Sequence, residues 1–132
     1  MSYAAEDRDS ARALFPKLVE AGLEPWDPAE ALFPGDNWAL QIGQALEDSD
    51  AMLILVSPHS MKSEWVRHEL EYALASTRYK GRLLPVIVKA TSDMPWILKR
   101  FPSVRLGSNL TEASRQISDY LTHGFELSPV NA

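Results

Sequence analysis

Three stretches of the chain are apolar without alternation: Ala51 to Pro58 (AMLILVSP), Arg82 to Ala90 (RLLPVIVKA) and, more weakly, Gly22 to Trp26 (GLEPW). An unbroken apolar run of strand length is what a strand buried on both faces needs, and such strands belong to parallel sheets. Between these runs apolar residues recur at helical spacing. Ala11, Leu14, Leu18 and Val19 form one stripe, Trp38, Ile42, Ala45 and Leu46 a second, and Val66, Leu70, Ala73 and Leu74 a third. Each stripe predicts a helix laid on one sheet face. The third leaves Trp65, Glu69 and Tyr72 on an adjacent stripe. A last helix is predicted from about Asn109 through Ile117 and Leu121 to Gly124, with the short SVRL segment (Ser103 to Leu106) before it as an edge strand.

Local signals bound these helices. Asp36 and Ser63 are predicted N-caps, the NLTE segment is a capping-box variant, and Gly124 suits the residue after a helix end. Pro16 inside the first helical pattern predicts a kink or a delayed start, because proline lacks the N–H and crowds the carbonyl four residues back.

Strands alternating with helices over short loops imply right-handed crossovers, hence an α/β fold with a doubly wound parallel sheet and helices on both faces. Ligands on such sheets bind beyond the carboxyl ends of the strands. That edge is expected to hold SYAAED, WDPAEALFPGD and SPHSMKSEW. The first strand is truncated in this pattern, since only Met1, Ser2 and Tyr3 precede the first loop.

Composition narrows the function. With 132 residues the chain fits one domain, expected over residues 1–124 with a C-terminal tail at 125–132. A net charge of -5 and scattered basic residues argue against a nucleic-acid footprint. No apolar run approaches the roughly 20 residues of a membrane span, and the polar start does not read as a signal peptide, so a cytoplasmic location without membrane contact is expected. Cysteine is absent, and His59, His68 and His123 lack metal spacing, so neither a thiolate site nor any other metal site is expected. Neither a P-loop nor a dinucleotide fingerprint is present. The phosphoacceptor Asp of a receiver domain is replaced by Val56-Ser57-Pro58.

The order SYAAEDR, GLEPWD, PGDNWALQIGQALEDSD, LILVSPHSMKSEWVRHELEYAL, RLLPVIV resembles the TIR (Toll/interleukin-1 receptor) domain, bacterial type, from Ser2 to about Val88 with a weaker tail to Gly124. The resemblance implies a flavodoxin-like sheet of five strands. It implies one of two functions: cleavage of NAD+ at the nicotinamide–ribose bond, or a scaffold that binds other TIR domains. In the enzymes of the family the catalytic Glu follows a Ser, a short gap, a Trp and three residues. Ser63-Glu64-Trp65-Val66-Arg67-His68-Glu69 fits this pattern, which carries the catalytic role onto Glu69. NAD+ would then be substrate, with no cofactor required.

The chemistry is consistent with a single carboxylate. Nicotinamide departs neutral and needs little acid help, whereas the ribose left behind carries oxocarbenium-like charge that one anion can stabilise. Trp65, one turn before Glu69, is placed either to stack on a planar ring or to pack under the preceding loop. Tyr3 is placed to touch base or ribose, or to fill the rim; Trp26 to pack or to line the substrate site; Asp27 to cap its loop or hold a ribose hydroxyl; and Ser63, besides capping its helix, is counted among the substrate-binding residues. Phe33, in the EALFPGD loop, would gate the pocket and by resemblance touch the next protomer, so self-association and a separate activator or receiver protein are expected. The competing readings are the non-enzymatic module, assembling through Phe33 to Asp36, and a deoxyribosyltransferase-like enzyme acting on deoxynucleosides.

Overall fold

The computed structural model describes residues 1–27, 32, 34–49, 51–75 and 83–123. Four helices occur among them: α1 (Arg8–Glu20), α2 (Trp38–Asp48), α3 (Glu64–Ala75) and α4 (Leu110–His123). Three strands, β1 (Met52–Val56), β2 (Leu83–Ile87) and β3 (Val104–Arg105), form one parallel sheet in the order β1-β2-β3. Short 3-10 turns lie at Ala5–Asp7, Ser60–Lys62 and Trp96–Arg100.

Successive side chains of β1 part to opposite faces, as the pleat requires. Leu53 and Leu55 join Leu84, Val86 and Val104 against Ala11, Leu14 and Leu18 of α1 and Ala113 and Ile117 of α4. Met52, Ile54 and Val56 join Leu83 against Val66, Leu70 and Ala73 of α3, closed off by Leu98 and Phe101. Two apolar layers thus enclose the sheet, which is why its strands read as unbroken apolar runs.

The expected five strands reduce to three among the described residues. The truncated first strand contributes a single parallel bridge, Ser2 to Ile54, on the free side of β1. Ser2 N donates to Leu53 O at 2.7 Å and Leu55 N donates to Ser2 O at 2.9 Å. Gly22 to Trp26 forms no strand. It could pair only with the first strand, which offers it one bond, from the Met1 amine to Trp26 O at 2.8 Å, and Pro25 has no N–H to give.

Proline within β2 is tolerated for a related reason. Val88 N donates to Val56 O and Leu106 N to Ile87 O, so odd-numbered residues of β2 face β3. Pro85 therefore turns its donorless nitrogen toward β3, whose ladder begins only opposite Val86.

Several local expectations need correction. Val19 and Leu74 end their stripes exposed, at 52% and 43%. In α3 the buried face is Val66, Glu69, Leu70 and Ala73, so Glu69 belongs to it. The cap of α2 is Asn37, which accepts from Leu40 N at 3.1 Å, and not Asp36. Helix α1 begins at Arg8 and contains Pro16, so the delayed start does not occur. Pro16 and Arg12 are both exposed, so water can serve the Arg12 carbonyl that proline leaves without a donor. The expected caps at Ser63 and Asn109 are made, the latter accepting from Glu112 N at 3.0 Å. The side chains of Trp38 and Leu46, and Gly124 with the tail at 125–132, lie outside the described residues.

Candidate functional site

β1 delivers the chain at Val56 into Ser57-Pro58 and the turn that starts α3. A buried polar cluster fixes that passage. Ser57 Oγ donates to Asp7 Oδ2 at 2.5 Å, Ser57 N donates to Ser60 Oγ at 2.9 Å, and Ser60 N returns to Ser57 Oγ at 3.1 Å. Outside it, His59 Nδ1 lies 3.3 Å from Glu6 Oε2. The N-terminal turn and the loop entering α3 are thereby tied together. Ser63 then caps α3, its Oγ accepting from Val66 N at 3.3 Å.

One turn into α3, Glu69 points inward and is 7% exposed. Ser2 Oγ donates to its Oε1 at 2.9 Å. Burial pushes the Glu69 carboxyl above the usual carboxylate range; the Ser2 hydroxyl, the Met1 ammonium and the Trp65 indole all act in the opposite direction. The Met1 amine is pushed down by its own burial, against the pull of Glu69 and Asp27. Beside this group Tyr3 Oη donates to Asp27 Oδ1 at 2.5 Å. Burial first, then Asp27, push the phenol well above its ordinary value, so Tyr3 stays a neutral donor.

A cavity of about 770 Å³ opens here, walled by Met1, Ser2, Trp26, Met52 and Glu69 with Gln41 and Gln44 of α2. Its lining includes the N-terminal half of β1 and the Gly22–Trp26 segment, not the carboxyl ends of the strands as expected. The cavity runs along Ala51 and Met52, at the start of β1, which the single Ser2 bridge leaves uncovered. Its chemically equipped end is where Glu69, Ser2 and Trp26 meet.

Of the residues singled out in the sequence, Glu69 and Trp26 share this cavity, and Tyr3 and Asp27 are paired beside it. Trp65 is 47% exposed and stands one turn before Glu69 on the same helix. Ser63 is occupied as a helix cap. Phe33 lies outside the described residues. Sequence reasoning missed Ser2, Asp7, Ser57 and Ser60. Among the described residues no group of three or more His, Asp or Glu is placed to hold a metal, and no helix is long and apolar enough to cross a membrane.

Comparison with known proteins agrees with this frame. The fold matches the TIR domain of the Toll-related receptor TRR-2 of Hydra magnipapillata with a TM-score of 0.72 at 20% identity, covering 92% of this chain and 93% of that one. It matches a TIR-STING receptor of C. gigas, solved with 2',3'-cGAMP, with the same TM-score of 0.72 at 23% identity, covering 89% of this chain and 38% of that one. In sequence the chain is 34% identical over 96 residues to the NAD(+) hydrolase PdTIR of Paracoccus denitrificans, covering 70% of this chain and 32% of the relative. It is 29% identical over 106 residues to the 2' cyclic ADP-D-ribose synthase BtTIR of Bacteroides thetaiotaomicron, covering 79% of this chain and 36% of that protein. The chain thus spans about a third of the length of these two relatives. The family model described as TIR domain matches residues 1–120, and the chain belongs to that family.

Proposed function

We propose that this domain cleaves NAD+ at the bond between nicotinamide and ribose, with Glu69 as the catalytic carboxylate. The observation that carries the reading is a buried carboxylate on a cavity wall, held by a neutral donor and, among the described residues, not ion-paired to an arginine or lysine. The names of the two bacterial relatives, one a hydrolase of NAD(+) and one a synthase of a cyclic ADP-ribose, support the same substrate.

The bond from the ribose anomeric carbon to the pyridinium nitrogen breaks with its electron pair passing to nicotinamide, which leaves neutral. Positive charge then develops across the anomeric carbon and ring oxygen. A carboxylate already stripped of water interacts with that charge more strongly than a hydrated one would, and it need not reorganise as the charge appears. Water attacking the cation and losing a proton gives ADP-ribose; attack by a nucleophile within the ADP-ribose itself gives a cyclic product. Trp26 on the cavity wall and Trp65, one turn before Glu69 on α3, supply flat apolar surface for the planar rings of the substrate.

The test is chromatography of NAD+ after incubation with the purified protein at high concentration. Glu69→Gln is expected to lower nicotinamide release by about two to three orders of magnitude. Undiminished release in that variant removes Glu69 from the role. A second reading, the non-enzymatic interaction module, is favoured by Trp65 and Tyr72, exposed at 47% and 39% and seven residues apart on one stripe of α3. It requires association in sedimentation with NAD+ left intact even at concentrations that force assembly. Within the enzymatic proposal, assembly completes the site, and a separate protein in a bacterial defence pathway activates the enzyme or receives its product. Co-expression that lowers cellular NAD+ on phage challenge would support this extension.

A further inference from the structure

The hydroxyl of Ser2 enters a largely apolar layer of the protein, in which Glu69 is its hydrogen-bond acceptor. Ser2 is bridged to Ile54, and Ile54 belongs with Met52 and Val56 to the face of β1 that packs on Val66, Leu70 and Ala73 of α3. Met1 and Tyr3, on either side of Ser2 in the chain, pack with the opposite cluster. The pleat therefore sends the Ser2 side chain to the one face where Glu69 lies. Ser2 is 1% exposed, and both of its main-chain groups are fixed by β1, so its Oγ has little freedom except to meet the carboxylate at 2.9 Å.

We infer that Ser2 is the positioning residue of the candidate carboxylate: its hydroxyl fixes the orientation of Glu69 where it lines the cavity. The inference rests on the reading of Glu69 as the working group. A serine hydroxyl suits the task because it donates without bringing a countercharge. An arginine or lysine in its place would orient the carboxylate too, but would spend its negative potential on an ion pair instead of on the sugar.

The other groups facing Glu69 leave this division of labour intact. The N-terminal segment presents the Met1 amine, and the Gly22–Trp26 segment with Asp27 presents the carboxylates of Asp27 and Glu24. Asp27 is held by the Tyr3 phenol. Among the described side chains helix α2 presents the neutral Gln41, Gln44 and Ala45, and β1 presents Met52 and Leu53. On α3 itself the neighbour is the neutral Trp65 indole. All of these are unchanged by a substitution at Ser2, so a change in the titration of Glu69 reads the lost hydroxyl.

The experiment compares wild type, Ser2→Ala and Ser2→Thr by carbon-NMR titration of carboxyl-labelled glutamate, with Glu69→Gln identifying the signal, and by the pH dependence of NAD+ turnover. In Ser2→Ala the Glu69 midpoint is expected to move upward. At neutral pH kcat is expected to fall by about tenfold or more while KM stays within about twofold, with recovery as pH rises. Ser2→Thr, which keeps the hydroxyl, is expected to track wild type. An unmoved midpoint in Ser2→Ala overturns the inference, as does a rate loss equal at every pH and shared by both variants. A moved midpoint in a protein that never cleaves NAD+ upholds the contact and sinks the enzymatic reading instead.

Discussion

A carboxylate on the core-facing side of a helix is costly, and Glu69 carries that cost in its titration. Its folded-state pKa is raised above the ordinary 4.5, so between 4.5 and the raised value the native protein holds more protons than the unfolded chain. Stability therefore declines as pH rises through that window, and the penalty is complete above it. Glu69→Gln is accordingly expected to raise the melting temperature at pH 7 while abolishing most turnover, with the gain fading in melts run near pH 4; a variant that melts below wild type at pH 7 would contradict this account. Tyr3→Phe removes the phenol that Asp27 accepts from, inside a protein where Asp27 is 1% exposed. A loss of about 1–3 kcal/mol in urea unfolding is expected. The motif around Ser63, Trp65 and Glu69 could be seen in the sequence because its spacing lies within one helix. Ser2 could not, because three residues are too few to show a period, and its partner lies 67 positions away.

At the scale of elements, the stripes predicted the helices well and their edges poorly. Ala11, Leu14 and Leu18 are buried as the spacing implies, but Val19 has rotated past the rim of the contact, and Leu74 has done the same on α3. A helix resting on a sheet buries an arc narrower than a full stripe, so the last member falls into solvent. Asp36 and Asn37 are adjacent residues of equal capping ability, and only the packing of α2 decides between them. Pro16 gives the clearest test at this scale. Pro16→Ala should restore an intrahelical bond worth up to about 3 kcal/mol on the propensity scale, against about 0.4–1 kcal/mol of added unfolded-state entropy. A net rise in stability is expected in thermal melts. Ser63→Ala should cost about 1 kcal/mol by uncapping the helix that carries Glu69.

At the scale of the whole molecule, the described residues form a sheet covered on both faces and open along one edge. The alternation of apolar runs and helical stripes made the α/β class and the parallel sheet legible, since both follow from burial on two faces. The strand count was not legible, because whether Gly22 to Trp26 pairs depends on a neighbour of only three residues. A chain lengthened before Met1 by three or four apolar residues can continue the parallel ladder past Leu53 toward Ala51. It is expected to melt at a higher temperature, and equal melting would show that the uncovered edge costs nothing. The single bridge also sets a clock. The Leu55 amide is locked only by the Ser2 carbonyl, whereas the amide of Ile54 faces β2. Hydrogen exchange at Leu55 therefore counts each detachment of the N-terminus, and with it each moment when Glu69 loses its tether.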